Sequence, residues 1–232
     1  KDIDNSNGTI VTNGNLTITS AEDGMFKNIE GTLQAAKNLV MDIFNFQGDK
    51  SNIQAQDINL KANDVKANNS NVVATNGNLE VKGNDLDLSE SSQIASTEDL
   101  KIDGNEIKLN NTNVLSQNAN VNVNSTANVE LKNTNVSATE ELNLKATQNI
   151  LAEDSQIQGN KVSISSQELV LSEQKDNSED YDSKIVSNTS VDIEATNLKN
   201  VNGYIGANSD VTITSKDIDN SNGTIVTNGN LT

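Results

Sequence analysis

Along this chain aliphatic residues fall in pairs with one polar residue between them. The pairs are Leu16/Ile18, Leu39/Met41, Ile58/Leu60, Leu79/Val81, Leu100/Ile102, Val121/Val123, Leu142/Leu144, Val162/Ile164, Val191/Ile193 and Val211/Ile213. A spacing of two is the period of a strand with one face buried and the other wet. Further pairs follow in several units, at Leu86/Leu88, Ile107/Leu109, Val129/Leu131 and Leu169/Leu171. Ahead of each main pair stands a single aliphatic anchor: Ile10, Leu33, Ile53, Val72, Ile94, Val114, Val136, Ile157, Ile185 and Ile205, with Ile225 opening the next unit. The steps between anchors are nearly even, and the longest runs from Ile157 to Ile185. Three short strands per unit of about 20 residues, joined by turns rich in Asn, Gly, Ser and Asp, predict an all-β parallel β-helix (β-solenoid) of about ten coils.

The residue before the anchor is an amide in six successive units: Asn52, Asn71, Gln93, Asn113, Asn135 and Gln156. Coils stack about 4.8 Å apart, so these amides are expected to form one column with side chains bonded along it. The other reading is that Asn tolerates the left-handed backbone of a turn. Between apolar pairs, Glu80 is followed one unit later by Lys101, and Asp87 by Lys108 and Glu130. Alternating sign suits stacking in register, where like charges would repel.

A longer period encloses the short one. Lys1–Thr17 returns letter for letter as Lys216–Thr232, and ten short units fill one turn of this longer cycle. Residues 1–232 therefore read as a single solenoid segment: one tandem period plus a short overlap into the next, with 1–17 repeated as 216–232.

Two stretches depart from the regular pattern. All three Phe (Phe26, Phe44, Phe46) and both Met (Met25, Met41) lie in 25–46. Residues 33–44 also fit a short amphipathic helix, but GTLQAAKNLVM aligns without a gap on GTIVTNGNLTI, which favours strands. The Phe rings are expected to fill a wider stretch of core, the alternative being a patch that docks a neighbour. The second departure is an insertion at 174–184. It carries Asp176, Glu179, Asp180 and Asp182, the only calcium candidates, although the Gly-punctuated pattern of a calcium loop is missing. A solvated loop is the plainer reading.

Composition then narrows the classes. Only 33% of residues are hydrophobic and 2% aromatic, which in an aperiodic chain would suggest disorder. The period argues for folding instead. Pro is absent, as expected where every strand is paired on both sides. The net charge of −17 disfavours nucleic acid and anionic membrane. No apolar run is long enough for a membrane span, which takes about 20 residues. With no His and no Cys, Ser-His-Asp and Cys-His catalysis and the usual zinc sites are impossible. Adjacent carboxylates, Asp85/Asp87 and Glu140/Glu141, are the remaining acid/base candidates, and wet strand or turn positions explain them better. Neither catalytic nor cofactor-binding residues are assigned, and the chain is not expected to be an enzyme.

Asp4–Ser20, DNSNGTIVTNGNLTITS, resembles the repeat of filamentous-haemagglutinin-type exoproteins of two-partner secretion systems, which include adhesins and the stalks of contact-dependent inhibition toxins. The match is carried by Asn5-Ser6-Asn7-Gly8-Thr9-Ile10 and Gly14-Asn15-Leu16-Thr17-Ile18, and elsewhere fades to an aliphatic period near 20. The resemblance implies a right-handed β-helix, export through an outer-membrane partner, and an extracellular or bacterial cell-surface location. It brings no catalytic residues. The function expected is that of a structural shaft segment in a long secreted or surface filament. Its partners would be further copies of itself, in tandem or stacked end to end, and a host or neighbouring cell surface. The alternatives are an adhesive module using 174–184 or the Phe-rich 25–46, and, more distantly, a β-helix polysaccharide lyase.

Overall fold

A computed structural model of the chain describes residues 2–20, 22–90, 93–172 and 183–232. Its strands are joined in two parallel sheets that run the length of the molecule. One sheet has eleven strands, from Thr9–Thr12 to Thr224–Thr227, each carrying one anchor. The other has sixteen strands and carries the second and third strand positions of every coil. The chain thus winds into a β-solenoid of about ten turns.

Register explains the core. Each anchor pairs with the next, Ile10 with Leu33, Leu33 with Ile53, and so on to Ile205 with Ile225. A second column runs from Leu16 through Leu39, Ile58, Leu79, Leu100, Val121, Leu142, Val162 and Val191 to Val211. A third begins at Ile3, Phe26, Phe46, Val65 and Leu86 and ends at Leu198 and Ile218. The three columns meet in one continuous apolar core, with Ile10 and Ile225 half-buried at its ends. Period-2 alternation puts these side chains inside, and in-register stacking sets like on like.

The third strand is present in coils whose sequence lacks the aliphatic pair. Phe46/Gly48, Val65/Ala67 and Leu198/Asn200 occupy it, so its inner position takes small or polar partners. Residues 33–44 fall on two strands, Thr32–Ala35 and Asn38–Asp42. Leu33, Ala35, Leu39 and Met41 face in and Val40 faces out, so the strand period prevails over the helical stripe. Phe26 and Phe46 are buried and stack at 6.0 Å with rings 25° apart, while Phe44 faces solvent. Gly48 makes room for this pair, because a Cβ there would lie 2.9 Å from the Phe46 ring.

Second and third strands are not separate everywhere. In Leu100–Asn110, Val121–Lys132, Lys161–Ser172, Val191–Val201 and Val211–Asp219 they run on as one bent strand. Between Leu100–Asn110 and Val121–Lys132 the register shifts at Gly104/Glu106, so the corner is turned by a bulge without leaving the sheet.

Leu100 is fully buried between Leu79 and Val121. Leu100→Ala should lower stability by about 2–5 kcal/mol in denaturant unfolding, whereas Val11→Ala, at a side chain 56% exposed, should stay within about 0.5 kcal/mol.

Candidate functional site

The feature with functional potential is the set of polar columns that lock coil to coil. The amides before the anchors do stack in register: Asn52, Asn71, Gln93, Asn113, Asn135 and Gln156 are successive partners. Their side chains, however, point out from the strand, and all but the half-buried Asn52 are exposed. The hydrogen bonds crossing this column are backbone ones, such as Asn71 N–H to Ser51 O at 2.8 Å and Gln156 N–H to Thr134 O at 2.9 Å. They are not the left-handed residues either. Those lie three residues ahead of most anchors, at Asn7, Asn69, Asn111, Asn133, Asp154, Asn202 and Asn222, with Glu30, Lys50 and Glu90 in the same role. All ten have φ between 46° and 65°, and no Gly does this work among the described residues.

A side-chain ladder occupies a different column, immediately before the second strand. Asp57 Oδ1 accepts the backbone N–H of Asn78 at 2.9 Å, and Asn78 Oδ1 that of Asp99 at 3.1 Å. Asp99 Oδ1 takes both N–H and Nδ2 of Asn120, and Asn120 Oδ1 takes the N–H of Glu141 at 3.0 Å. Asn15 and Asp210 do the same for Asn38 and Asn230. A short side chain at a turn brings its oxygen to a backbone donor that the strand ladder has not yet engaged. The signal was present in the sequence as the Asn or Asp that opens NLTI, DIN or DLK.

The corner before six of the anchors carries a buried hydroxyl, at Ser51, Ser70, Thr112, Thr134, Ser155 and Ser183. Ser70, Thr134 and Ser155 donate to the carbonyls of Asn68, Lys132 and Glu153 at 2.8–2.9 Å. Ser70 and Ser155 accept the N–H of Ser51 and Thr134, the same position in the neighbouring coil. Near the duplicated segment the chemistry changes. Gly8, Gly31, Gly203 and Gly223 replace the hydroxyl, and Asn5, Asn28, Asn200 and Asn220 stand three residues earlier. Asn28 and Asn200 are fully buried. A Cβ at Gly203 would lie 2.5 Å from Asn200 Oδ1, so the Asn-x-x-Gly pattern is sterically tied.

Charged columns are weaker. Lys101 pairs with Glu80 at 3.7 Å and with Asp103 at 2.8 Å, and Lys199 with Glu168. Lys101 is held above its ordinary pKa chiefly by the hydrogen bond to Asp103. These groups are solvated, so each pair contributes little. Asp87 stacks with Lys108 and Lys108 with Glu130. Asp4 and its repeat equivalent Asp219 are held below the usual carboxylate range by hydrogen bonds from Ser6 and Ser221. Their contribution is present above the ordinary carboxylate pKa and is lost as pH falls through the depressed value.

Of the acid/base candidates, Asp85 and Asp87 flank buried Leu86 on one strand and face outward. Asp85 stacks with Asp64 and Glu106. Glu140 and Glu141 are exposed, Glu140 in the bend before the strand Glu141–Ala146 and Glu141 at its start, and the Glu140 carbonyl accepts from the N–H groups of Asn160 and Lys161. Among the described residues no three His, Cys, Asp or Glu side chains converge as metal ligands would. The calcium candidates Asp176, Glu179, Asp180 and Asp182 lie outside the described residues. Among the described residues no helix is long and apolar enough to cross a membrane. No protein-family model matches this sequence, and neither a curated protein nor a solved structure matches it.

The two columns make opposite demands on a mutant. Asp99→Ala should cost about 1 kcal/mol, since two donors of Asn120 lose their acceptor, while Asn113→Ala should cost almost nothing. Denaturant midpoints of the two variants against the parent check this.

Proposed function

We propose that this chain is a shaft segment of a long secreted or cell-surface filament, built from tandem solenoid periods. The observation that carries the reading is that one identical segment, 1–17 and again 216–232, occupies both ends of the rod, paired on one side in one copy and on the other side in the second. A sequence that fits both seatings lets one period continue into the next without a change of register. Each period then adds ten coils, or about 48 Å at about 4.8 Å per coil.

The function is mechanical. Ladders along the axis and a thin aliphatic core give a stiff spacer whose reach grows with the number of periods, each coil bracing its neighbours. The net charge of −17 keeps such rods apart. The extracellular setting and outer-membrane export are supported by the resemblance of Asp4–Ser20 to haemagglutinin-type repeats. In the adhesive alternative the Phe-rich 25–46 offers one solvent-facing ring, Phe44, because Phe26 and Phe46 are in the core.

Electron microscopy with layer-line analysis of filaments sheared from the producing cells tests the reading. An axial spacing of about 4.8 Å with a repeat of about 48 Å is expected. Compact particles without that spacing would overturn the shaft.

A further inference from the structure

The two sheets present different surfaces to solvent. On the sixteen-stranded sheet the outward columns are charged. Asp42, Lys61, Lys82 and Asp103 follow one another in register, and so do Lys66, Asp87, Lys108 and Glu130. On the eleven-stranded sheet the outward positions of each strand lie one before and one after the anchor, since the anchor itself points in. Along the whole sheet the only charged residue at these positions is Lys184. Charged residues make up 21% of the chain, so an even spread would place several there. One long face of the rod has been kept nearly free of charge.

What fills this face is amide and aliphatic. The column ahead of the anchors holds Asn52, Asn71, Gln93, Asn113, Asn135 and Gln156, and among the described residues no hydrogen bond reaches these side chains. The column after the anchors carries an apolar stripe, Val73, Ala95 and Leu115, successive partners in register. Ala95 is 2% exposed and yet stands outside the core cluster, between Val73 and Leu115. Beside the stripe runs a shallow furrow of about 550 Å³, lined by Asn71, Gln93, Asn113 and Asn135 and, from the corner, by Asn111 and Asn133. Charge returns at both rims. Glu30, Lys50, Glu90 and Asp154 stand at the left-handed corner, and Lys37, Glu98 and Glu140 in the bends after the strands. An uncharged centre inside a charged rim is the anatomy of a protein interface.

We propose that this face binds the same face of a second copy of the chain, so that two rods pair side by side along their length. An amide both donates and accepts, so a column of amides is its own complement. Amide columns of facing sheets interdigitate in this way in cross-β stacks. Charge selects the face. Each copy carries −17, and the outward columns of the sixteen-stranded sheet would set like charges against each other, whereas this face does not. The area suffices. The nine strands between the first and the last of the sheet span about 43 Å, and four residues of strand span about 13 Å. Two such faces bury about 1,100 Å² together, enough for a weak specific interface. A face that meets itself closes at two copies. The pairing takes its purpose from the shaft reading, where every further period would add area, and its geometry from the uncharged face alone.

Small-angle X-ray scattering of the full chain over a concentration series tests it, because side-by-side pairing doubles the mass per unit length and end-to-end stacking does not. The doubling is expected at lower concentration in about 0.5 M salt than in about 0.15 M, since screening weakens the repulsion of the two net charges. Val73→Glu with Leu115→Glu should raise the dissociation constant about tenfold or more, with the parent's circular dichroism retained. Asn71→Asp with Asn113→Asp puts charge at exposed positions without a change of size, and should weaken pairing even if the first variant fails to fold. Val170→Glu, on the other sheet beside Lys199, should leave pairing unchanged. Single-rod mass per unit length at every concentration, pairing indifferent to both charged variants, or pairing lost in Val170→Glu would overturn the proposal. Single rods retained on a neutral polysaccharide, and released by the same charges, would assign the face to a glycan instead. A tandem shaft would show its axial repeat whether or not rods pair, so the two readings fail separately.

Discussion

Backbone pairing between successive coils is the constraint from which everything else here follows. A coil of about 20 residues has no core of its own, and its N–H and C=O groups point along the rod axis. Most of them find partners in the coils above and below, along both sheets. Register in turn forces like onto like. An apolar residue sits on an apolar residue in the anchor column and in the first inner columns of the second and third strands, which therefore run unbroken. A misplaced buried group would recur as a defect in two neighbouring coils, since each coil shares both of its faces.

The same constraint explains the composition. Asn and Asp are abundant because each coil has corners to turn, and each corner asks for something different. One asks for a left-handed backbone, another for an oxygen that looks along the axis to the next N–H, and near the duplicated segment an interior corner asks for a whole amide. The hydroxyls of Ser70, Thr134 and Ser155 serve that interior corner elsewhere, holding a carbonyl of their own coil and an N–H of the neighbour. The exposed ion pairs decorate this frame and contribute little to it.

What could be read from the sequence was what period two reports. The anchors and the second pairs stood out because their alternation is strict, and the gapless alignment of 31–41 onto 8–18 selected strand over helix. The third strand was seen only where two aliphatics mark it. At Phe46/Gly48 and Leu198/Asn200 the inner positions are filled by one large residue with a glycine, or by a bonded amide, and neither leaves an alternating apolar signature. The amide column was misjudged for a related reason. Asn before the anchor recurs as regularly as Asn and Asp before the second strand, but only the latter reaches a backbone donor. Sequence spacing places residues in a column, and side-chain direction decides which columns bond. The hydrogen bonds from Asn5 Nδ2 to Asn28 Oδ1 and from Asn200 Nδ2 to Asn220 Oδ1 were hidden for the same reason, since an Asn two residues after an apolar position reads as a turn.

If stability is handed from coil to coil, it should be graded along residues 1–232 when they are unfolded on their own. Native-state hydrogen exchange on the full chain measures this directly. Amides of the coils between 51 and 172 should exchange slowest, with protection falling stepwise towards 2–20 and 211–232. Uniform protection, or an end coil that outlasts the middle, would contradict the account.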